Sequence, residues 1–430
     1  MKNLMGRFRE LLPTKDLRRL VVVRGLRSLV QGYILVVFAI YLAQIGFSPW
    51  LIGLTLGIGS AVSALLTLTT GIASDRYGRK PFLLAYSVLL ALSGIVFSFT
   101  SVPFVLIAVS ALGGLGRGGG AGGQAGPFAP AEVALLSEKT TLDNRNMVFS
   151  INSAVGTFAM ALGTLLAGLP EMIRSVYASP LIISYRPLFF GVTIVGIVTF
   201  FLLWPIKETV DRHKAGVHNS EKKLMSRKES VHMIWKISVA GMVNGFGIGF
   251  VGGILPYLLY LRFSVSPVII GPVIGASSVL ASFSSLWMAH MARRFGDIKV
   301  ITASRVFGVI CTALIPVMPG FGLAAVFVIL RMAGAMGAMP VRQAYTMGIV
   351  DADLRGTTAG ISGVARRIPS AVSPAISGIW ISMGELELPF FASAAFMAMN
   401  AALYFYWFHS VKPKETTRIQ DYPIFLGADS

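Results

Sequence analysis

Long apolar segments alternate with short charged segments along almost the whole chain. A helix of about 20 mostly apolar residues crosses the hydrocarbon core of a bilayer and satisfies its own backbone polar groups. The count of such segments predicts twelve membrane-spanning helices and no soluble domain. We place these helices at residues 20–45, 50–74, 81–100, 103–127, 147–169, 187–205, 234–260, 266–290, 298–318, 321–345, 357–382 and 389–408.

One charged stretch is longer than the others and divides the helices into two sets of six. It begins at residue 206 and mixes basic and acidic side chains, so we interpret it as a solvated cytoplasmic linker. The pattern predicts an all-α polytopic membrane protein built from two pseudo-symmetric six-helix bundles. The predicted divisions are residues 1–205 for the first bundle, 206–233 for the linker, 234–408 for the second bundle and 409–430 for a cytoplasmic tail.

Similarity between the two sets indicates an internal repeat. Residues 47–53 read FSPWLIG, and residues 265–271, which lie 218 positions further on, read VSPVIIG. Because six is an even number of spans, both halves keep the same orientation, and parallel halves are a transporter architecture with substrate bound near the midplane. The same offset relates Gly57 to Gly275, Arg76 to Arg294, and Gly78 to Gly296, and alignment of the first and seventh spans pairs Gln31 with Asn244.

Composition and charge agree with a membrane protein. Hydrophobic residues make up 54% of the chain and charged residues 13%, and the mean hydropathy is +0.72, whereas soluble domains carry about 25% charged residues. Short loops rich in Lys and Arg stay in the cytoplasm, and most of the 37 basic residues share one predicted side with both termini. This bias predicts a multi-pass plasma-membrane protein with cytoplasmic termini, and it explains the net charge of +18 without nucleic acid binding.

The loop after the second predicted span carries the most specific motif. Residues 71–80 read GIASDRYGRK. In this loop, and over nearly its whole length, the chain resembles the Major Facilitator Superfamily, with its motifs most similar to the twelve-span drug and sugar efflux type. The family's loop signature stands here as Gly71, Asp75, Arg76, Gly78, Arg79 and Lys80, with a degenerate copy at Arg294 and Gly296.

The resemblance implies a charge latch on the cytoplasmic side. Asp75 and the neighbouring arginines are expected to hold the halves together while the protein is open to the outside, and to separate on the inward swing. A buried charge that loses its partner costs a few kcal/mol, so such a latch can bias the two states. The candidate neighbours in the same layer are Glu138 with Arg145, and Asp351 with Arg355.

Ionisable side chains inside membrane spans are costly and count as functional candidates by default. All 19 acidic residues fall in predicted loops or at helix ends, so the interior is expected to be basic without an acidic partner. Arginine pairs bidentately with carboxylate or phosphate, which favours an anionic or hydrogen-bonding solute over a lipophilic cation. The alternative is structural, with arginines bound to carbonyls and amides joining helices. The substrate-cavity candidates are Arg27, Gln31, Arg117, Asn152, Asn244, Arg331 and Arg366.

Two features bear on proton coupling. Arg117 precedes a run of small residues, which resembles a motif of proton-coupled members of the family and implies a role in governing the protonation of a neighbour. The fifth span departs from the Gly-Pro pattern of drug/proton antiporters, since Pro170 follows Gly168 one residue too late. The sequence therefore leaves the antiporter interpretation weaker than the family interpretation.

Glycines recur at every fourth residue in two spans, so that each set shares one helix face. Such a face allows either close packing of helix backbones or a smooth surface on which helices slide. The two sets are Gly114, Gly118, Gly122 and Gly126, and Gly241, Gly245, Gly249 and Gly253.

Taken together, these patterns predict a secondary transporter that moves a small organic solute by alternating access, with proton coupling and export expected from the resemblance. The alternatives are an exchanger or facilitator for organic anions or sugar-like solutes, and a non-transporting receptor or scaffold on the same fold. The sequence has no nucleotide-binding P-loop, and an enzyme is disfavoured because the predicted spans hold no acid, and no histidine away from their ends. We expect no cofactor and no metal, a monomer, and the solute and lipid bilayer as partners.

Overall fold

A computed structural model describes residue 12 and residues 14–113, 126–140, 144–208, 227–350 and 355–411. Most of the predicted linker and tail lie outside the described residues, as do Arg117, Asp351, Gly114, Gly118 and Gly122. The side chains of Asp75, Arg145 and Arg355 also lie outside the described part of the chain.

The described part of the first half consists of eight α-helices. The fifth predicted span is divided, because a 3₁₀ turn at Leu166–Gly168 separates α6 from α7. The helices are α1 (Lys15–Gln44), α2 (Pro49–Tyr77), α3 (Lys80–Phe99), α4 (Pro103–Gly113), α5 (Phe128–Glu138), α6 (Arg145–Leu165), α7 (Leu169–Tyr177) and α8 (Leu181–Leu203).

The described part of the second half also consists of eight α-helices. Its first predicted span is divided between α9 and α10, and a 3₁₀ turn at Ile315–Val317 follows α12. The helices are α9 (Arg227–Val251), α10 (Leu255–Phe263), α11 (Pro267–Phe295), α12 (Asp297–Leu314), α13 (Phe321–Gly337), α14 (Met339–Gly348), α15 (Arg355–Ser382) and α16 (Leu388–Phe408).

Helices occupy each of the twelve predicted spans, and ten of the described helical segments are long and apolar enough to cross a membrane. The fourth region yields only the short α4 before the undescribed residues, and α15, which contains Arg366 and Arg367, is not among the ten. A separate helix, α5, occupies Phe128–Glu138, which the prediction left as a loop after the fourth span. Gly253 follows the end of α9 at Val251 and is therefore not on its helical face.

The internal repeat is confirmed in detail by α2 and α11. Both helices have 29 residues, and both their starts and their ends are separated by the predicted offset of 218. Each ends at a glycine with positive φ, 96° at Gly78 and 92° at Gly296, a conformation that glycine adopts without a Cβ penalty. The guanidinium of Arg76 lies 5.5 Å from the Tyr77 ring centre, and that of Arg294 lies 5.4 Å from the Phe295 ring centre.

The two halves pack together at the face where α1 ends and α2 begins, which we call the closed face. One hydrophobic core there joins both halves, with Leu42 and Leu56 from the first and Leu258 and Ile274 from the second. The opposite face carries the loop between α2 and α3, and we call it the open face. Its two hydrophobic clusters are each built, among the described residues, from one half alone.

Glycines explain how closely the halves approach at the closed face. A Cβ added to any of four glycines would collide with an atom of the other half, including the carbonyl oxygens of Pro374 in α15 and Thr164 in α6. Helix backbones can come this close only where side chains are absent. The glycines are Gly53 and Gly57 of α2 and their repeat equivalents Gly271 and Gly275 of α11.

Glycines on the same helices are uncrowded near the open face. A Cβ added to Gly71 of α2, or to Gly360 or Gly363 of α15, would meet no described atom within 4 Å. The crowded glycine contacts between α2 and α15 therefore lie near the closed face.

Candidate functional site

The motif loop between α2 and α3 is held by a carboxylate of its own half. Glu208, just after α8, accepts hydrogen bonds from the backbone amides of Arg79 and Lys80, the latter at 3.2 Å. Free amides at a helix start favour a negative charge. A Cβ on Gly78 would lie 2.9 Å from Glu208 Oε2, so glycine there serves both the positive φ and the approach of Glu208.

The side chains of the motif loop also bind within the first half. Arg79 donates to Glu138 at 2.9 Å and to the Ala134 carbonyl at 3.2 Å, so α5 is tied to the loop. Lys80 Nζ lies 6.0 Å from the Trp204 ring centre. Arg76 is exposed. These contacts brace the motif loop, while the predicted latch role of Asp75 stays a prediction.

A buried charged cluster lies deeper in the first half, and we call it the Glu132 cluster. Glu132 of α5 is 3% exposed, and its Oε2 lies 3.8 Å from Arg24 Nη1 and 3.7 Å from Arg27 Nη1, both of α1. Asn152 of α6 donates from Nδ2 to Glu132 Oε1 at 3.5 Å. The Arg27 guanidinium also stacks 3.4 Å from the centre of the Phe128 ring. Three helices thus meet at one carboxylate.

The prediction of an interior without acids is wrong because of Glu132. The sequence interpretation ended the fourth span at residue 127 and left Glu132 in a loop. In the structure α5 runs on to Glu138, which places Glu132 about 9 Å inside the helix end at 1.5 Å per residue. The signal was present in the apolar residues on both sides of Glu132, which continue a membrane-type pattern to Leu136.

Among the described residues, two arginines contact the one carboxylate of this cluster. Arg27 keeps 15% of its side chain exposed and so remains able to contact a solute.

The predicted amide pair lies on α1 and α9. Gln31 is half-buried and one helical turn beyond Arg27. Asn244 is 8% exposed, and its Nδ2 has no hydrogen-bond acceptor. A buried donor without an acceptor costs about 1–3 kcal/mol, so Asn244 is suited to bind an acceptor oxygen.

The remaining arginine candidates occupy two separate places in the second half. Arg331 of α13 is 6% exposed, its Nε has no acceptor, and its electrostatic neighbour is Cys311. Arg366 of α15 interacts electrostatically with Arg342, Arg367 and Tyr404. Of the sequence candidates, the structure therefore brings Arg27 and Asn152 together, whereas Arg331 and Arg366 have different neighbours.

The second copy of the motif keeps the helix geometry without the carboxylate contact. Arg294 is exposed and lies over Phe295, and a Cβ on Gly296 would meet no described atom within 4 Å. The two copies therefore share a helix cap but differ in what the loop binds.

Comparison with known families identifies the chain. The family model of the Major Facilitator Superfamily matches residues 20–374 and, in a second match, residues 237–421. The chain belongs to the Major Facilitator Superfamily. As a member of this superfamily it is a multi-pass membrane protein and a secondary transporter, in a family of transporters rather than enzymes.

Relatives of this superfamily member are spread across bacteria and yeast. It is 22% identical over 369 residues to multidrug resistance protein 2 of Bacillus subtilis, which covers 83% of this chain and 86% of that protein. It is 22% identical over 412 residues to an uncharacterized membrane protein of Saccharomyces cerevisiae, and the match covers 89% of this chain and 91% of that protein. The inner membrane transport protein YajR of Escherichia coli is 32% identical over 143 residues, and this match covers 33% of this chain and 29% of that protein.

Solved structures confirm the superfamily fold. The nucleoside transporter NupG superposes with a TM-score of 0.70 at 13% identity, over 91% of this chain and 99% of that chain. The xylose transporter XylE of Escherichia coli superposes with a TM-score of 0.66 at 16% identity, over 94% and 98%. The predicted architecture of two six-helix bundles is thereby confirmed.

Proposed function

We propose that this transporter carries a small organic solute by alternating access, and that its structure corresponds to the state open to the cytoplasm. The observation that carries the proposal is the contrast between its two faces. One hydrophobic core and four crowded glycines join the halves at the closed face, whereas at the open face each half has its own core. A solute between the halves could leave in one direction only.

The membrane orientation follows from charge. The open face carries the motif loop and the ends of the chain from which α1 starts and at which α16 ends. Short loops rich in Lys and Arg are retained in the cytoplasm, and the motif loop contains Arg76, Arg79 and Lys80. We therefore assign the open face to the cytoplasm and both termini to the same side.

The polar groups of the interior support an anionic or hydrogen-bonding solute. Arg27 is partly exposed beside the Glu132 cluster, and Arg331 and Asn244 each have a buried donor without an acceptor. Carboxylate or phosphate oxygens would satisfy such donors, and arginine binds them with paired hydrogen bonds. A lipophilic cation would gain nothing from these groups.

Glu132 supports proton coupling. If Glu132 bound a proton, the charge of its cluster would become more positive by one unit, and an anionic solute beside Arg27 would offset that rise. Binding of the proton and of the anion would then favour one another, and such linkage is reciprocal. We therefore expect proton and anion to move in the same direction.

The experiment that tests this function uses the purified protein in liposomes that contain a trapped pH dye. The liposomes are challenged in turn with an organic monocarboxylate, a neutral sugar and a lipophilic cation, each with protein-free liposomes as the control. We expect acidification of the lumen with the carboxylate and none with the cation. A pH change driven by the cation alone would contradict the solute class, and solute binding without flux would indicate a receptor or scaffold instead.

A further inference from the structure

Three arginines of the second half, Arg305, Arg342 and Arg366, interact with one another or with the buried Tyr404. The Arg305 guanidinium of α12 lies 4.1 Å from the centre of the Tyr404 ring. Arg342 of α14 interacts electrostatically with both Arg305 and Arg366. In the described ranges, no carboxylate lies within 4.0 Å of any of the three. This cluster therefore differs from the Glu132 cluster, in which an acid is present.

The arginines lie at a common depth near the open face. Arg305 is about 12 Å from the start of α12 at Asp297, and Arg342 is about 9 Å from the end of α14 at Gly348, at 1.5 Å per residue. Tyr404 lies about one turn from the end of α16. The charges are thus located just inside the cytoplasmic boundary of the bilayer, within reach of lipid headgroups.

An apolar groove on the outer surface of the second half adjoins α12, the helix that carries Arg305. It has a volume of about 260 Å³ and runs between α12 and α16, lined by Thr302, Val306 and Val309 on one side and by Ala398, Ala401, Ala402 and Phe405 on the other. Val306 and Phe405 are 46% and 53% exposed. The groove is therefore open to the surroundings of the helix bundle rather than to the space between the halves.

Two buried polar atoms beside the groove have no partner. Thr302 Oγ1, which belongs to a groove-lining residue, and Arg305 Nη1 are both buried and without a hydrogen bond. Residues three apart on a helix are neighbours on its surface. Buried polar groups are normally hydrogen-bonded, so a ligand with acceptor oxygens next to the groove would satisfy both atoms.

We propose that the surface between α12 and α16 binds an acidic phospholipid of the cytoplasmic leaflet, with its phosphate at Arg305 and Arg342 and an acyl chain in the groove. Basic pockets between membrane helices on the cytoplasmic side recognise anionic headgroups, and the unbalanced charge selects against a headgroup that brings its own ammonium. A free phosphate ion would make no use of the apolar groove. A lipid matches both parts of the surface.

The test measures lipid retention by native mass spectrometry and does not depend on transport. The full-length protein is purified from mixed micelles that contain equal amounts of phosphatidylglycerol and phosphatidylcholine. Wild-type protein should retain phosphatidylglycerol preferentially. Arg305→Gln should lower this retention about fivefold, as expected for loss of one basic residue beside a phosphate, and Ala402→Phe should lower it by filling the groove without changing charge. Ala303→Phe, on an exposed α12 position outside the groove, should leave it unchanged.

Three results would overturn the proposal. Equal retention of the two lipids by the wild type would remove the selectivity for acidic headgroups. Unchanged retention in Ala402→Phe would remove the groove from the site, and this variant decides the question even if Arg305→Gln fails to fold. Displacement of phosphatidylglycerol by soluble glycerol phosphate at similar concentration would indicate a site for free anions rather than for a lipid.

Discussion

The Glu132 carboxylate lies where three helices of the first half meet, close to Arg24 and Arg27 of α1 and Asn152 of α6. All three neighbours would be costly inside a membrane without an oppositely charged or accepting partner. The cluster therefore has a structural role, because it joins α1, α5 and α6. It also has the chemistry for coupling, because it contains a carboxylate beside a partly exposed arginine.

The coupling role of Glu132 predicts a separation of two transport modes. Glu132→Gln keeps the shape and the Asn152 contact but cannot exchange a proton. We expect the variant to lose solute accumulation driven by a pH gradient, whereas exchange of labelled for unlabelled solute at equal concentrations, which needs no net proton movement, should remain. Both modes are measured in liposomes.

The matched control for that variant is Glu385→Gln, which removes a carboxylate from an exposed position at the closed face. Both transport modes should stay at the wild-type level in this control. Gradient-driven accumulation that persists in Glu132→Gln would exclude Glu132 as the proton site. Loss of exchange together with accumulation would assign the residue to folding alone.

At the residue scale, the sequence identified individual polar residues more reliably than it identified the contacts between them. Arg27 and Asn152 stood out because polar residues are rare inside apolar spans, and they do meet in the structure. Glu132 and Glu208 were missed because each was assigned to a loop, where a carboxylate needs no partner. The contact between Glu208 and Gly78 joins residues far apart in sequence, so no local pattern could reveal it.

At the element scale, α2 and α11 show how one sequence pattern serves two purposes. Their N-terminal halves carry the glycines that let each helix approach the other half, and their last residues lead into the two motif loops. Their starts were predicted to within one residue, whereas the helices end at Tyr77 and Phe295, three and five residues beyond the predicted ends at 74 and 290. The breaks after Val251 and Leu165 were not predicted, since the apolar pattern continues across both.

The repeat offers a matched test of the motif glycine. Gly78→Ala and Gly296→Ala place the same Cβ at nearly the same positive φ, which costs about 1–3 kcal/mol in either case. Only Gly78→Ala also displaces Glu208 from the backbone amides of Arg79 and Lys80. We therefore expect Gly78→Ala to be less stable than Gly296→Ala by about 1.5 kcal/mol or more, measured by unfolding in mild detergent.

The comparison of the two glycine variants becomes decisive when it is repeated in protein that lacks the Glu208 carboxylate. When Glu208→Ala is combined with each glycine variant, the contact is already absent, so the two should become equally stable. A difference that persists without the Glu208 carboxylate would show that the loop depends on something other than this contact.

At the scale of the whole molecule, the two halves have separate cores at the open face and share one core at the closed face. The number of helices and the repeat could be predicted, because both depend on the length and order of apolar segments. The face at which the halves meet could not, because a transporter sequence must be compatible with two arrangements of the same helices. The crowded glycines of α2 and α11 become recognisable as a contact only in three dimensions.

The central claim is that the two faces open alternately, and distances between spin labels test it most directly. One pair, at Tyr77 and Phe295, spans the open face, and another, at Val102 and Leu323, spans the closed face; all four positions are more than half exposed. The background is Cys311→Ser, which removes the single cysteine. Gly57→Ala and Gly275→Ala, which crowd the closed face, are compared with Gly308→Ala, where a Cβ meets no described atom within 4 Å.

Alternating access predicts that the two distances change in opposite directions. Both crowding variants should lengthen the Val102–Leu323 distance and shorten the Tyr77–Phe295 distance, and a cost of about 1.4 kcal/mol in the closed face would shift the populations tenfold. Gly308→Ala should match the wild type. Crowding variants that leave both distances unchanged, or that lengthen both together, would contradict the account.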